Sequence, residues 1–161
     1  MPFDQTLEPS TTERFVVALA HPSLDDAVAL FSTEIRAEQR YFGNAAPKLP
    51  ASSLSRLNTP GGLRLGVMVN GRLIAMSRVD RDGDAVMAVV QPSRGQGVGR
   101  QLLQATLSRA ASQGCERVIF RSSRRSKAFV SLAETVDATL VDHGSGRIDL
   151  IFAVKRITHI A

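Results

Sequence analysis

Hydrophobic and polar residues along the chain follow two patterns, one typical of strands and the other of helices. Short runs of alternating or consecutive apolar residues, bounded by Gly, Pro, Asn or Asp, are typical of strands. Such runs predict strands over residues 14–20, 63–69, 72–79, 84–90, 116–120, 138–141 and 148–154. Apolar residues spaced three or four apart predict helices from Ser23 or Asp25 to about Arg36, over 98–113, over 128–136 and, more weakly, over 52–57.

The turns between these segments indicate how the strands pair. Asn70-Gly71 is a strong signal for a two-residue hairpin, and residues 80–83 predict a second tight turn. Three strands joined by two tight turns must be antiparallel. The strand over 116–120 instead follows a strand, a turn and a helix, so it should run parallel to the strand over 84–90. This order predicts an α+β fold, a mixed α/β arrangement around a mostly antiparallel sheet.

Length and composition indicate one domain. A chain of 161 residues with 43% hydrophobic residues can bury a single core. Residues 1–12 are rich in Pro, Ser and Thr and predict a flexible tail, which leaves 13–161 as the domain. No apolar run approaches the roughly 20 residues of a membrane helix, and no secretion signal is visible. Because a single cysteine, Cys115, allows no intrachain disulfide, we expect a cytoplasmic protein.

A glycine-rich turn between a predicted strand and a predicted helix carries most of the functional information. Gly95, Gly97 and Gly99 let the backbone approach a ligand and leave amide N–H groups unpaired. These amides lie at the positive end of a helix dipole, which suits phosphate or pyrophosphate. The spacing disfavours the G-x-G-x-x-G turn of dinucleotide-binding folds, and Arg100-Gln101 after Gly99 excludes the Gly-Lys-Ser/Thr of a P-loop.

The same turn matches a known cofactor signature. The segment Arg94-Gly95-Gln96-Gly97-Val98-Gly99 fits Gln/Arg-x-x-Gly-x-Gly/Ala at every defined position. With its strand–turn–helix–strand context, the chain resembles the GNAT superfamily of acyl-CoA-dependent N-acyltransferases over about residues 13–155. The resemblance implies a partly split sheet with helices on both faces, in which parallel strands 84–90 and 116–120 splay apart. It also implies acetyl-CoA as co-substrate, with its pantetheine arm in that gap.

The resemblance assigns particular residues to the cofactor. Val89 and Val90 would offer backbone bonds to the pantetheine arm, and the amides from Gly95 to Arg100 would hold the pyrophosphate. Arg94 and Arg100 either add charge there or are solvated, and Ser126 stands where the family often has an asparagine. The implied cofactor site consists of Val89, Val90, Arg94, Gly95, Gln96, Gly97, Val98, Gly99, Arg100 and Ser126.

The resemblance implies direct acetyl transfer to a primary amine, with a carboxylate as general base, often acting through water. Within the superfamily the chain looks most like actinobacterial protein-lysine acetyltransferases, whose catalytic domain can be fused to a cyclic-nucleotide-binding domain. Their catalytic Glu stands ten residues before the signature, and Asp84 stands ten before Arg94. Asp84 is therefore the candidate base, unless it only ends the turn over 80–83. Asp82 and Glu38 are weaker alternatives.

A proton donor for the leaving thiolate is harder to assign. Many family members use a Tyr in the helix after the fifth strand, but 128–136 contains none and the only tyrosine is Tyr41. Ser126 and Ser131 are the hydroxyls nearest the expected place. Cys115, just before a strand, fits a small buried residue better than a nucleophile. The missing tyrosine leaves a second hypothesis open, a non-catalytic or weakly catalytic acyl-CoA-binding sensor.

Charge indicates the class of partner only broadly. The net charge of +5 and the pI of about 10.3 suit acidic partners. The basic run over 121–127 could contact the 3′-phosphate of the cofactor or an acidic substrate, or could be solvated. It lacks the interleaved aromatic residues of a nucleic-acid platform, so we expect neither nucleic acid nor membrane as a partner. His21, His143 and His159 lack ligand spacing, so we expect no metal.

The acceptor cannot be named from the sequence. The loops over 34–60, 80–84 and 142–147 would surround it. Acidic residues at positions 34, 38, 80, 82 and 84 suit a cationic amine, either a small molecule or a protein lysine. The family often dimerises, so a homodimer is also open.

Overall fold

The computed structural model describes residues 13–41, 51–123, 130–131, 134, 138–144 and 146–154. The strands are β1 (Arg14–Ala18), β2 (Leu63–Val69), β3 (Arg72–Val79), β4 (Asp84–Val89), β5 (Arg117–Ser123), β6 (Thr139–Asp142) and β7 (Arg147–Ala153). The helices are α1 (Asp25–Tyr41), α2 (Ala51–Asn58) and α3 (Val98–Ser112), with short 3-10 turns at Pro22–Leu24 and Gln91–Ser93. The predicted tail over 1–12 lies outside the described residues. Of the predicted helix over 128–136, residues 130, 131 and 134 are described and helical.

α1 and β5 each extend three or more residues past the ends that the sequence pattern predicts. The apolar stripe of α1 ends at Ile35 and predicts an end near Arg36, but the helix continues to Tyr41. The added residues are mainly Ala, Glu, Gln and Arg, which are strong helix formers and need no apolar stripe to stay helical. β5 passes Phe120 and reaches Ser123 because it remains paired with β7 over its whole length.

The seven strands form one sheet in the order β1-β2-β3-β4-β5-β7-β6. All neighbouring strands are antiparallel except β4 and β5, which are parallel. The hairpin at Asn70-Gly71 has positive φ at both residues, as its turn type requires. The predicted mixed, mostly antiparallel sheet with a parallel β4–β5 pair is confirmed.

The parallel pair is short, and this opens a gap in the sheet. β4 and β5 pair only at Asp84↔Ile119 and Ala85↔Phe120, although both strands continue beyond these positions. Gly83 lies at the point of closest approach and accepts a hydrogen bond from the Ile119 amide at 2.8 Å. A Cβ on Gly83 would lie 2.1 Å from the Arg117 carbonyl oxygen, so only glycine fits. The predicted separation of these strands therefore begins directly after Ala85.

The hydrophobic core has two parts, and the smaller one, which includes Val79 of β3 and Ala85 of β4, extends across this gap. The larger part joins α1 to the sheet β1–β4 through residues such as Phe31, Ile35 and Val67. The smaller part lies under β5 and β7 and contains Phe120 and Phe152, whose rings meet edge to face at 5.8 Å. α3 contributes to both, and its Thr106 forms a buried 2.8 Å hydrogen bond with Ser77 of β3.

α2 and α3 lie on opposite faces of the sheet. Successive side chains of a strand point to opposite faces. Asp84 of β4 contacts Arg56 of α2, whereas the next residue, Ala85, packs in one core cluster with Leu103 of α3. The helices of the described residues are too short or too polar to cross a membrane.

Candidate cofactor and catalytic site

The glycine-rich turn joins β4 to α3 and presents free backbone. Gly95 and Gly97 adopt left-handed conformations with φ of 77° and 78°. Gly97 is the N-cap of α3 and has no side-chain capping bond, so the first amides of the helix lack a side-chain acceptor. A Cβ placed on either glycine would meet no atom within 4 Å. The turn is therefore a strip of amides with open space beside Gly95 and Gly97.

Glu38 of α1 fixes the entry to this turn. Its Oε1 accepts a 2.6 Å hydrogen bond from the Gln91 amide, and its Oε2 lies 3.4 Å from Arg94 Nη2. Arg94 Nε also donates to the Val89 carbonyl at 3.0 Å. Arg94 is thus part of the scaffold of the turn, and Glu38, a weaker candidate for the base, is engaged in holding it.

Arg14 is a basic residue at the turn that the sequence interpretation missed. Its Nη1 donates a 2.8 Å hydrogen bond to the Gln96 carbonyl, across 82 positions of sequence. No local signal marks it, because only the pairing of β1 at the sheet edge brings it there. Arg100 in the first turn of α3 is exposed. Arg14 and Arg100 therefore bring positive charge to the turn, whereas the charge of Arg94 is paired with Glu38.

Val89 and Val90 are predicted to contact pantetheine through their backbone, and they differ in the direction of their backbone groups. The Val90 amide donates to the Ile74 carbonyl and its own carbonyl accepts from Ser93, both at 3.0 Å. In an antiparallel ladder, alternate residues direct their backbone groups to the same neighbour. The backbone groups of Val89 therefore face β5 and the gap, where its carbonyl accepts the hydrogen bond from Arg94 Nε. Val89 is better placed than Val90 for the predicted role.

Asp84 lies in the two-residue stretch where β4 and β5 pair, with its side chain 22% exposed. Its Oδ2 lies 3.3 Å from Arg56 Nη1 of α2, and its Oδ1 lies 3.8 Å from Arg121 Nε of β5. Its amide donates to Asp82 Oδ1 at 3.0 Å. Asp84 thus ends the turn as one interpretation predicts, and its carboxylate faces the side where α2 meets the sheet.

The acidic residues near this site are largely neutralised by arginines. Asp80 binds Arg56 at 2.5 Å and Arg78 at 2.8 Å. Partial burial alone would raise the pKa of Asp80, but hydrogen bonds and charge from Arg78 and Arg56 lower that pKa below its ordinary value. Glu34 is likewise paired, with Arg72. Little uncompensated negative charge remains, so the acidic set gives weak support to a site for a cationic amine.

A histidine–carboxylate pair joins β7 to the connection between β6 and β7. His143 Nε2 lies 2.8 Å from Asp149 Oδ2, and Asp149 stands opposite Arg121 in the β5–β7 ladder. The sequence interpretation saw only scattered histidines, because the six-residue spacing of this pair matches no motif. In the described part of the chain, no group of three or more His, Cys, Asp or Glu residues could hold a metal ion.

Several predicted positions lie outside the described residues. Ser126 and most of the basic run, residues 124–127, are among them. Ser131 is exposed in the partly described helix.

Comparison with known proteins identifies the class of this fold and site. The model of the Acetyltransferase (GNAT) family matches residues 29–132, and the chain therefore belongs to that family. This confirms the resemblance found in the glycine-rich turn, and the protein is an N-acetyltransferase by family. No curated protein matches the chain.

Solved structures with the same fold share little sequence with this chain. The GNAT domain of S. lividans PAT has a TM-score of 0.68 and 19% identity, covering 86% of this chain and 89% of that one. The ribosomal-protein-S18-alanine N-acetyltransferase from Escherichia coli gives 0.64 and 15%, covering 92% and 99%. The putative acetyltransferase yncA from Salmonella typhimurium, solved with its cofactor acetyl-CoA, gives 0.63 and 17%, covering 92% and 96%.

Proposed function

We propose that this protein transfers an acetyl group from acetyl-CoA to a primary amine, with a protein lysine as the acceptor. The observation that carries the proposal is the uncapped glycine turn at the N-terminus of α3, directly beside the gap between β4 and β5. Such a turn suits a pyrophosphate. The yncA structure with acetyl-CoA supports the choice of cofactor, and the S18-alanine enzyme supports a protein amine as acceptor.

The chain's residues fit the cofactor in one arrangement. The amides from Gly95 to Arg100 hold the pyrophosphate, since added Cβ atoms on the turn glycines meet open space. Arg14 and Arg100 supply positive charge around it, and Arg94, paired with Glu38, holds the turn in place. Val89 presents backbone to the gap for the pantetheine arm, and the family resemblance assigns Ser126, which follows β5 in the sequence, to the same cofactor. When bound, acetyl-CoA supplies the thioester carbon that the amine attacks.

Asp84 is the proposed general base, acting through a water molecule. Its Oδ1 is 3.8 Å from Arg121 Nε, beyond hydrogen-bond distance, so this oxygen keeps lone pairs for a water. Asp is one methylene shorter than Glu, which favours a bridging water over direct contact with the amine. The water passes the amine proton to Oδ1 as the nitrogen attacks the thioester. Solvent protonates the departing thiolate, because the segment 128–136 holds no tyrosine.

A second function is an acyl-CoA-binding sensor without efficient catalysis. Two observations favour it: guanidinium groups flank both oxygens of Asp84, and no tyrosine follows β5. Both functions need the cofactor site, and only the first needs Asp84 as a base.

Acetyl-CoA binding and acetyl transfer separate these functions. Acetyl-CoA at about 100 times its Kd should raise Tm by roughly 5–10 °C, whereas S-acetylpantetheine, which lacks the pyrophosphate, should raise it less. A panel of amines and lysine peptides, read by mass spectrometry, should show acetylated product. Binding without product supports the sensor, and the absence of any Tm change overturns both functions.

Asp84→Asn is the variant that tests the base. We expect kcat to fall by about 10²–10⁴-fold while the acetyl-CoA Tm shift persists, because the amide cannot accept the proton. Asp84→Glu should keep activity. Asp82→Asn is the matched control, since its amide oxygen can still accept the Asp84 amide hydrogen. Equal activity of Asp84→Asn and the wild type would remove the base role from Asp84.

A further inference from the structure

The sheet beyond the gap has one face buried under α3 and one face turned away from it. Val118 and Phe120 of β5 and Phe152 of β7 pack with Leu103 of α3. The residues that alternate with them must point to the other face. The registers of β4, β5, β7 and β6 place there, side by side, Asp84, Ile119, Ile151, Arg121, Asp149 and Val141. We call this surface, made by those six residues, the acceptor face.

The acceptor face is accessible to solvent and includes Asp84, the proposed general base. Arg121 is 62% exposed and Val141 37%, while Ile119 and Ile151 are half-buried. Among the described helices, α2 reaches the edge of this face at Asp84 and packs on β3 and β4. Ile119, Ile151 and Val141 lie on three adjacent strands, which places apolar contact over roughly 10 Å. That breadth suits a polypeptide better than a small amine.

Positive charge surrounds this apolar strip. Arg117 and Arg147 are exposed on the same face, opposite Ala153 and Ser123 in the β5–β7 ladder. Neither forms an ion pair with another described residue. The two carboxylates of the face are already engaged, Asp149 by His143 and Asp84 by Arg56. Because Arg121 also lies 3.8 Å from Asp84, the charge left over is that of Arg117 and Arg147, which attract and orient an acidic partner.

We propose that the acceptor is a polypeptide whose target amine is flanked by acidic residues, bound across the acceptor face. This inference rests on the proposed acetyl transfer, because it places the amine at Asp84. Arg117 and Arg121 are four residues apart on one strand, about 13 Å, so they reach acidic side chains well separated along an extended peptide. Arg147 reaches a third position on the neighbouring strand.

Lysine peptides of equal length, flanked by Glu, Gln or Lys, test this proposal. The Glu peptide should exceed the Gln peptide in kcat/KM by about 10-fold, mainly through KM, and the Lys peptide should be poorest. The advantage should shrink with added salt. The double variant Arg117→Glu, Arg147→Glu should invert the order and favour the Lys peptide. Arg109→Glu, an exposed arginine on α3 across the sheet, is the matched control and should keep the original order.

The outcomes separate this proposal from the proposed function. Acetylation of all three peptides at equal kcat/KM, or of small amines alone, overturns the acidic acceptor and leaves acetyl transfer standing. An unchanged order in the double variant also overturns it, provided that the variant retains the acetyl-CoA Tm shift and is therefore folded. Acetylation of no amine at all overturns the proposed function and this proposal together.

Discussion

Gly95 and Gly97 illustrate how single residues set the geometry of the glycine-rich turn. Both require a left-handed backbone, and neither has a neighbour that a methyl group would touch. A substitution there would act through the direction of the amides rather than through a clash. The stability lost in such a variant would therefore measure the strain of the left-handed backbone, and any loss of affinity would measure the displaced amides.

Gly95→Ala should lower both stability and acetyl-CoA affinity. The left-handed alanine costs about 1 kcal/mol, and each displaced amide loses a bond to an anion, worth about tenfold in Kd. Gly71→Ala is a matched control, because Gly71 has φ of 75° and equally open surroundings but lies in the β2–β3 hairpin. Calorimetric titration should find weaker binding only in Gly95→Ala. An equal loss in both variants would contradict a ligand contact at this turn.

At this scale the sequence revealed the residues but not their partners. Asp84 and Arg94 were found because their positions relative to the glycines are local features. The partner of Asp84 on α2, Arg56, lies 28 positions away, and Arg14 lies 82 positions from the carbonyl it binds. Ion pairs of this kind depend on how elements pack, so no spacing rule along one chain predicts them.

At the scale of elements, an ion-pair cluster attaches α2 to the sheet. Arg56 of α2 reaches Asp80 and Asp84, while Arg78 of β3 binds Asp80 and the carbonyls of Thr59 and Gly61. Arg78 is nearly buried, so these bonds satisfy a charge that has little contact with water. The position of α2 over Asp84 therefore depends on charges that titrate in acid.

Asp80 should make stability depend on acidic pH. Because its pKa is lowered in the folded state, its contribution is present above the unfolded pKa of about 3.9 and is lost as pH falls through the folded value. Unfolding free energy, measured with urea between pH 7 and pH 2.5, should fall less steeply below pH 4 in Asp80→Asn than in the wild type. If the unfolding free energies of the two proteins fall in parallel with pH, Asp80 does not contribute to the pH dependence of stability.

The predictability of the elements follows from how local their signals are. β2 and β3 match their predicted bounds because Asn70-Gly71 and the strand alternation are local. α1 exceeds its prediction because helix propensity and the contact of Glu38 with the turn act where no apolar stripe remains. The length of the β4–β5 pair could not be predicted from periodicity, and its splay came from family resemblance alone.

At the scale of the whole molecule, the short parallel pair divides the sheet into two packed regions. One contains β1–β4 with α1 and α2, and the other contains β5, β7 and β6. Two residue pairs, α3 and two side chains of the first region, Val79 and Ala85, which pack in the second core, connect them. The gap between β4 and β5 lies at this boundary.

This division has a consequence for cooperativity. Regions joined by few contacts open separately, with lower free energies than global unfolding. Native-state hydrogen exchange without ligand should therefore show amides of β5 and β7 opening at lower free energy than those of β2 and β3. Acetyl-CoA contacts both sides of the gap in the proposed arrangement, so its binding should make the opening free energies of the two regions more nearly equal. Equal opening free energies without ligand would show instead that α3 alone makes the domain a single cooperative unit.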